Sequence, residues 1–196
     1  MPEPWIVITG ATGFLGGQLV RQMRKEYRIY ALGRRTPKEA GIPEGPGIEW
    51  FQADIGDIDR LQPVFEHIRS QGGAEFLLHL AAHYDFTGED CAEYERTNVL
   101  GTRNVLELAA PLKMRKLIFT SSLAACPFTA EQERVTESTP LVETFPYARS
   151  KKRGEELIRA YQDRVPACII RPAAIFSDWC EYEPLDVFLR SWCSNR

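Results

Sequence analysis

The sequence predicts a doubly wound α/β fold: a parallel sheet with helices on both faces. Three observations predict it. Short apolar runs rich in β-branched residues alternate with amphipathic helical stretches. The first run ends in a glycine-rich turn that opens a helix. Strands at this spacing pair in parallel through right-handed crossovers, which places a ligand site at the carboxyl ends of the strands. At 196 residues, 44% apolar and 26% charged, the chain is long enough to close one domain around a large core.

The first strand is Trp5 to Thr9, a continuous apolar run of the kind buried on both faces. The turn Gly10-Ala11-Thr12-Gly13-Phe14-Leu15-Gly16 follows, with a helix to about Arg24 whose apolar positions are Phe14, Leu15, Leu19 and Met23. Gly10 lets the chain turn sharply, Gly13 leaves no Cβ in the way of a pyrophosphate, and Gly16 lets the helix pack closely on the strand. The helix N-terminus then offers free N–H groups and partial positive charge to an anion. Arg28 to Leu32 is the second strand, closed by Gly33 and followed by Arg34 and Arg35. Residues 36–47, with three prolines and three glycines, form a surface loop. Ile48 to Gln52 is the third strand, ending at Asp54 and Ile55, and Asp57 to Ser70 is a helix with Leu61, Val64, Phe65 and Ile68 on one face.

Gly72 and Gly73 stop that helix. Phe76 to Leu80 is the fourth strand, and a single helix is expected from about Tyr94 to Leu112, with Val99, Val105, Leu106 and Leu108 turned inward. Lys116 to Thr120 is the fifth strand. A polar stretch over 129–144 crosses the surface before a helix from Tyr147 to Tyr161, and Ala167 to Ile170 is the sixth strand.

Composition narrows the function. A net charge of −3 and basic residues confined to short local clusters give no general attraction to nucleic acid. No apolar run approaches the length of a membrane span, and the N-terminus lacks a basic leader, so no membrane anchor or export signal is expected. The five cysteines (91, 126, 168, 180 and 193) are odd in number and form no C-x-x-C pair, which indicates neither a disulfide framework nor a zinc site and suits a reducing cytoplasm.

The stretches at the strand ends are Gly10 to Gly16, Gly33 to Arg35, Asp54-Ile55, Leu80-Ala81-Ala82-His83, Thr120-Ser121-Ser122 and Arg171 to Phe176. Between the last two lies Tyr147-Ala148-Arg149-Ser150-Lys151, a Tyr-x-x-x-Lys pair on one helix face. Together these resemble the extended short-chain dehydrogenase/reductase superfamily, specifically its NAD(P)-dependent epimerase/dehydratase-like group, over nearly the whole chain. The resemblance implies a dinucleotide-binding Rossmann domain over residues 1–176 and a short helical remnant of a substrate-binding region over 177–196. It makes Tyr147 the general acid/base, Lys151 its electrostatic partner and cofactor-ribose ligand, and Ser122 the hydroxyl that holds the substrate oxygen. Asn98, in the matching Asn98-Val99-Leu100-Gly101-Thr102, becomes a support for the active-site backbone or a proton relay. A free tyrosine has a pKa near 10, so Lys151 and an oxidised nicotinamide are expected to favour the phenolate. His79, inside a strand, reads as a hydrogen-bonded core residue, while His83 opens the loop beside the expected nicotinamide.

Cofactor contacts are expected from Gly10, Thr12, Gly13, Phe14, Leu15, Gly16, Arg34, Arg35, Asp54, Ile55, Leu80, Ala81, Ala82, Thr120, Tyr147, Lys151, Pro172 and Ile175. An acid at the end of the second strand would repel a 2′-phosphate; here Arg34 and Arg35 stand there, so NADP is expected ahead of NAD. Asp54 matches the family position that bonds the adenine amino group. The acidic pair of dehydratases is absent after Ser122, and Tyr84, Phe86, Phe128 and Phe176 near the site favour an apolar or aromatic alcohol or ketone over a sugar. The expected function is an NADP-dependent oxidoreductase; a nucleotide-sugar epimerase and a dinucleotide-binding module without turnover are the alternatives. About twenty residues follow Phe176, so most of the family's substrate lid is not expected in this chain. A helix beyond Pro184 carries an apolar stripe, Leu185, Phe188, Leu189 and Trp192, expected to find a second copy or another chain unless it folds back on the core.

Overall fold

The computed structural model describes residues 3–85, 87–127, 134–175 and 183–194. Six parallel strands form one sheet: β1 (Trp5–Thr9), β2 (Arg28–Gly33), β3 (Ile48–Gln52), β4 (Phe76–His79), β5 (Lys116–Thr120) and β6 (Ala167–Ile170), in the order β3-β2-β1-β4-β5-β6. The order reverses beside β1, which opens a crevice at the carboxyl ends of β1 and β4. All five pairings are parallel, as the strand spacing predicts.

Alternation along the strands divides the core in two. Val7, Tyr30 and Leu32 face α2 (Ile58–Ser70), α3 (Gly101–Ala109) and α4 (Pro146–Ala160), whose Leu61, Phe65, Val105, Leu106 and Ile158 complete that layer. Ile6, Ile8, Ile29 and Ala31 face the other way, against Val20 of α1 (Phe14–Met23) and Ile42 of the 34–47 loop. Helices therefore cover both faces, and the inward positions of α2 are those read from its periodicity. Asp57 caps α2 by accepting from the Arg60 N–H. Among the described residues no helix is long and apolar enough to cross a membrane.

The expected single helix over 94–112 is instead three: a π-helical segment, Tyr94–Leu100, then α3, then a 3-10 turn, Ala110–Leu112. Apolar spacing alone does not separate these, because the same residues turn inward in each; the wider first segment buries Tyr94, Thr97 and Asn98 together. The C-terminal helix, α5 (Glu183–Ser194), forms where expected. The side chains of Leu185, Phe188 and Leu189 lie outside the described residues, and Trp192 is 56% exposed.

One ion cluster ties β6 to α4. The fully buried Glu155 carboxylate accepts from Arg171 Nε and Nη2 at 2.8 and 2.9 Å and from Arg159 at 2.8 Å. Burial on its own would raise the Glu155 pKa; the Arg171 hydrogen bond, with Ser121 and Arg159, outweighs it and holds the group below its ordinary 4.5. Arg171→Met removes two of the three charge-assisted hydrogen bonds to this buried carboxylate, leaving that from Arg159, and is expected to cost about 3–5 kcal/mol in urea unfolding at pH 7. Because the folded pKa is depressed, the stabilisation is present above about pH 4.5 and is lost as pH falls through the folded value. The gap between wild type and variant should therefore narrow in acid, and a gap that is small at pH 7 would contradict this role.

Candidate active site

The glycine turn is built by close approach. Gly10 has φ 70°, and a Cβ there would lie 2.7 Å from the Ala81 nitrogen, so β1 and the start of the β4 loop meet only because that atom is missing. A Cβ at Gly16 would overlap the Gly10 carbonyl oxygen, so this glycine seats α1 on the turn itself as well as beside the strand. Gly13, exposed, caps α1, which has no side-chain cap and no acid in its first turn. The N–H groups of Phe14, Leu15 and Gly16 therefore stand at a helix start open to an anion. Gly33 is needed for a different reason: a Cβ there would strike the Thr12 hydroxyl.

A cavity of about 390 Å³ runs from this turn to the ends of β2, β3 and β4. Gly10, Thr12, Gly13, Arg34, Arg35, Asp54, Ile55, Leu80, Ala81 and Ala82 all line it. Phe14, Leu15 and Gly16 sit beside it in the first turn of α1. Its donor set fits a dinucleotide: amides and a helix start for a pyrophosphate, guanidinium groups for a further phosphate, a carboxylate for an amine. The two arginines differ. Arg35 donates from Nη2 to the Thr12 carbonyl oxygen, bracing the turn, while Arg34 stands exposed at the cavity rim.

Asp54 is more engaged than the sequence suggests. Its Oδ1 accepts from the Gly56 N–H at 2.9 Å and its Oδ2 from Arg96 Nη2 at 2.7 Å, and Arg96 also pairs with Glu93. Burial works to raise the Asp54 pKa, but the Arg96 and Gly56 hydrogen bonds prevail and keep it lowered. The carboxylate thus stays charged, with lone pairs left for a ligand amine. Ile55 is placed by Gly101, whose missing Cβ admits the Ile55 side chain, and by Asn104, which donates to the Ile55 carbonyl at 2.9 Å.

At the ends of β5 and β6 lies a larger cavity, about 690 Å³, lined by Tyr84, Ser122, Leu123, Phe145, Tyr147, Pro172 and Ile175 among others. Tyr147 stands in the first turn of α4, which starts with Pro146 at a position suited to its fixed φ. Ser122 lines this cavity with Tyr147 and caps a 3-10 turn, accepting from the Ala124 N–H at 3.1 Å. Ser121 is buried, its hydroxyl without a hydrogen-bond partner among the described residues, so the two adjacent serines divide between cleft and core. Lys151, 4% exposed, donates to the Thr120 carbonyl at 2.9 Å and lies 5.6 Å from the Tyr147 ring. The Thr120 hydroxyl is buried without a partner among the described residues.

In the chain alone, without the nicotinamide on which the expected phenolate also rested, the electrostatics favour the neutral phenol. Burial pushes the Tyr147 pKa up to about 12, with the nearby Ser122 hydroxyl acting the other way. Burial also pushes Lys151 down to about 8, so its ammonium is held less firmly than that of a free lysine although it is still present at pH 7. In the protein by itself Tyr147 is a proton donor.

Asn98 joins the two ends. Its Oδ1 accepts from the His83 N–H at 2.6 Å, and its Nδ2 donates to the His83 carbonyl at 2.9 Å and to Ser150 Oγ at 2.8 Å. Ser150 in turn donates to the Tyr147 carbonyl. This is backbone support; no hydrogen bond links Asn98 to Lys151 among the described residues. His79 is the core residue expected: its ring nitrogens meet Thr9 Oγ1 at 2.7 Å and Thr102 Oγ1 at 3.0 Å, and burial first, then Lys151, lowers its pKa to about 3.

Of the four aromatic residues expected on the substrate wall, Tyr84 is there, edge-on to Tyr147 with centroids 4.5 Å apart. Phe86, Phe128 and Phe176 lie outside the described residues. The sequence reading missed Phe145, whose ring stacks 6.4 Å from Tyr147, and Tyr94, 6.3 Å away. Phe145 was legible as the residue before a helix-opening proline; Tyr94 reaches the site only through the π-helical turn.

Comparison with known proteins places this geometry. A model of the NAD dependent epimerase/dehydratase family matches residues 6–187. A protein of Synechocystis sp. provisionally named a dihydroflavonol 4-reductase is 32% identical over 177 residues, covering 88% of this chain and 49% of its own length. Sterol demethylase protein B of Methylococcus capsulatus is 31% identical over 178 residues, covering 88% of this chain and 52% of its own. The chain spans about half the length of these relatives. Among solved structures, the Bordetella bronchiseptica enzyme WbmG in complex with NAD superposes with TM-score 0.82 at 22% identity, over 99% of this chain and 61% of that one. A short-chain dehydrogenase/reductase superfamily protein of Agrobacterium tumefaciens with bound NAD has TM-score 0.69 at 28% identity, over 85% and 48%.

The raised phenol is directly measurable. With [13Cζ]tyrosine labelling, the resonance removed by Tyr147→Phe should stay at its protonated position at pH 10, where an ordinary tyrosine is half ionised. A Tyr147 resonance already half titrated at pH 10 would contradict the account of burial.

Proposed function

Since the chain belongs to the NAD dependent epimerase/dehydratase family, we propose that it is the dinucleotide-binding, acid/base part of an NADP-linked oxidoreductase acting on an apolar or aromatic ketone or secondary alcohol. The observation that carries this reading is that Ser122 and Tyr147 line one apolar cavity, with Lys151 one helical turn away and its Nζ 5.6 Å from the Tyr147 ring. When bound, the nicotinamide supplies or takes the hydride.

This chain's residues do the rest. Ser122 holds the carbonyl oxygen, and Tyr147 donates its phenolic proton to that oxygen as the carbon is reduced. The phenolate left behind faces Lys151, whose ammonium stabilises it; in the reverse direction the same phenolate takes the alcohol proton. Tyr84 and Phe145 exclude water and offer ring faces to the substrate, and the names of two relatives, for a dihydroflavonol and a sterol, support an apolar substrate. Arg34 and Arg35 favour NADP, whereas the NAD held by the solved neighbours supports a second reading, an NAD-linked epimerase using the same three residues. The chain spans about half the length of the relatives it matches, so turnover on substrate is proposed of the whole protein.

Tyr147→Phe should leave NADPH binding within about twofold and lower the rate on a ketone found by screening by a factor on the order of a hundred or more; Lys151→Ala should harm both. Undiminished turnover by Tyr147→Phe would refute the mechanism. The arginines should separate by role: Arg34→Ala should weaken NADPH about tenfold or more in a fluorescence titration and leave NADH nearly unchanged, while Arg35→Ala, which releases the turn, should weaken both. Equal losses for both cofactors in Arg34→Ala would favour NAD.

A further inference from the structure

Beside the cleft, on the segment that joins β4 to the π-helical turn, three side chains of different chemistry converge. His83 Nε2 lies 3.4 Å from Cys91 Sγ and 3.5 Å from Asp85 Oδ2, and those last two atoms are 3.9 Å apart. We propose that His83, Asp85 and Cys91 form a zinc site of imidazole, carboxylate and thiolate, its fourth position open to water.

The geometry carries the assignment. Zinc bonds nitrogen and oxygen at about 2.0–2.2 Å and sulfur at about 2.3 Å, and at tetrahedral angles such bonds set the donor atoms about 3.3–3.6 Å apart. Two edges of the triangle already have that length, and the third must shorten by a few tenths of an ångström. A point equidistant from the three atoms lies about 2.1 Å from each, a zinc bond length. All three residues are half-buried, which leaves the ion a path in. Imidazole with thiolate selects zinc over magnesium or calcium, which seek oxygen donors. Lack of a C-x-x-C pair argues against a zinc finger and is silent on a mixed site of this kind.

The ligands are also held. The His83 backbone is clamped on both sides by Asn98. Asp85 Oδ1 accepts from Thr87 N and Oγ1 at 3.0 and 2.6 Å, which leaves Oδ2 turned to the histidine and the thiol. The His83 ring rests against Tyr94, centroids 5.1 Å apart. Zinc binding replaces the Cys91 S–H proton, which leaves to solvent. Tyr84 lies between the first two ligands in sequence and touches Tyr147, so the ion would fasten the loop that carries it.

The full chain, freed of metal by chelator, is titrated with Co2+ and then with Zn2+ against a chromophoric chelator. One equivalent of Co2+ should give a thiolate-to-cobalt charge-transfer band and the intense visible bands of a tetrahedral ion, displaced by Zn2+ and untouched by excess Mg2+. Cys91→Ser should abolish the charge-transfer band, Cys168→Ser should keep it, and His83→Ala should weaken zinc at least about tenfold. Thr87→Ala, which alters no ligand, should weaken zinc about 10–100-fold. Circular dichroism of each variant checks folding, and zinc should slow amide exchange over residues 83–91 in wild type and not in Cys91→Ser. No charge-transfer band, or a band that survives Cys91→Ser, would overturn the proposal. None of these readouts depends on turnover or on the cofactor.

Discussion

A single methyl group is excluded at Gly10 and at Gly16, and the two exclusions place everything else. At Gly10 the added carbon would meet the Ala81 backbone, and at Gly16 it would meet the Gly10 carbonyl. The end of β1, the start of α1 and the loop after β4 can share one small volume only while both positions lack Cβ atoms. From that contact follow the anion-ready start of α1, the seat of Ala81 and Ala82 against the cofactor cavity, and the direction in which the chain leaves β4 toward His83 and Asn98. The rest of the sheet supports this corner: β2 adds Gly33, which makes room for Thr12, and Arg35 returns to brace the same turn.

From the corner a buried polar chain runs to the start of α4, where Tyr147 stands. Thr9 on β1 meets His79 on β4, His79 meets Thr102 on α3, Thr102 donates to the Asn98 carbonyl at 2.6 Å, and the Asn98 side chain holds both the His83 backbone and Ser150 on α4. Each such bond contributes only about 0.5–1.5 kcal/mol net, whereas a buried group left without its partner costs about 1–3 kcal/mol. The chain therefore sets geometry more than stability. It fixes α4, hence Tyr147, relative to the strand ends that line the cavity beside the glycine turn. The π-helical turn belongs to the same arrangement, since it buries Tyr94, Thr97 and Asn98 together.

Much of this was legible in the residues. The strands were readable because buried parallel strands are unbroken apolar runs, and α2 because Leu61, Val64, Phe65 and Ile68 fall on one face. The core role of His79 followed from its place inside such a run. What escaped has physical reasons. The π-helical turn shares its inward residues with an α-helix, so periodicity is silent. Arg96 reaches Asp54 across 42 positions, and no local pattern encodes that pair. The expected phenolate rested on Lys151 together with an oxidised nicotinamide; in the chain alone, burial acts on both side chains and pushes each toward its neutral form. His83, Asp85 and Cys91 are separated by a loop whose course depends on Asn98, so their convergence belongs to the fold and not to the spacing.

The central claim is that one rigid corner and one polar chain present a dinucleotide to Tyr147. Crystals of the chain grown with NADP+ test it most directly. The pyrophosphate is predicted over Gly13 at the start of α1, the adenine against Asp54 and Ile55, and the nicotinamide ring beside Tyr147 and Lys151, with Ser122 and Tyr147 lining the same cavity. A pyrophosphate bound away from the glycine turn, or a nicotinamide ring directed away from Tyr147, would contradict it.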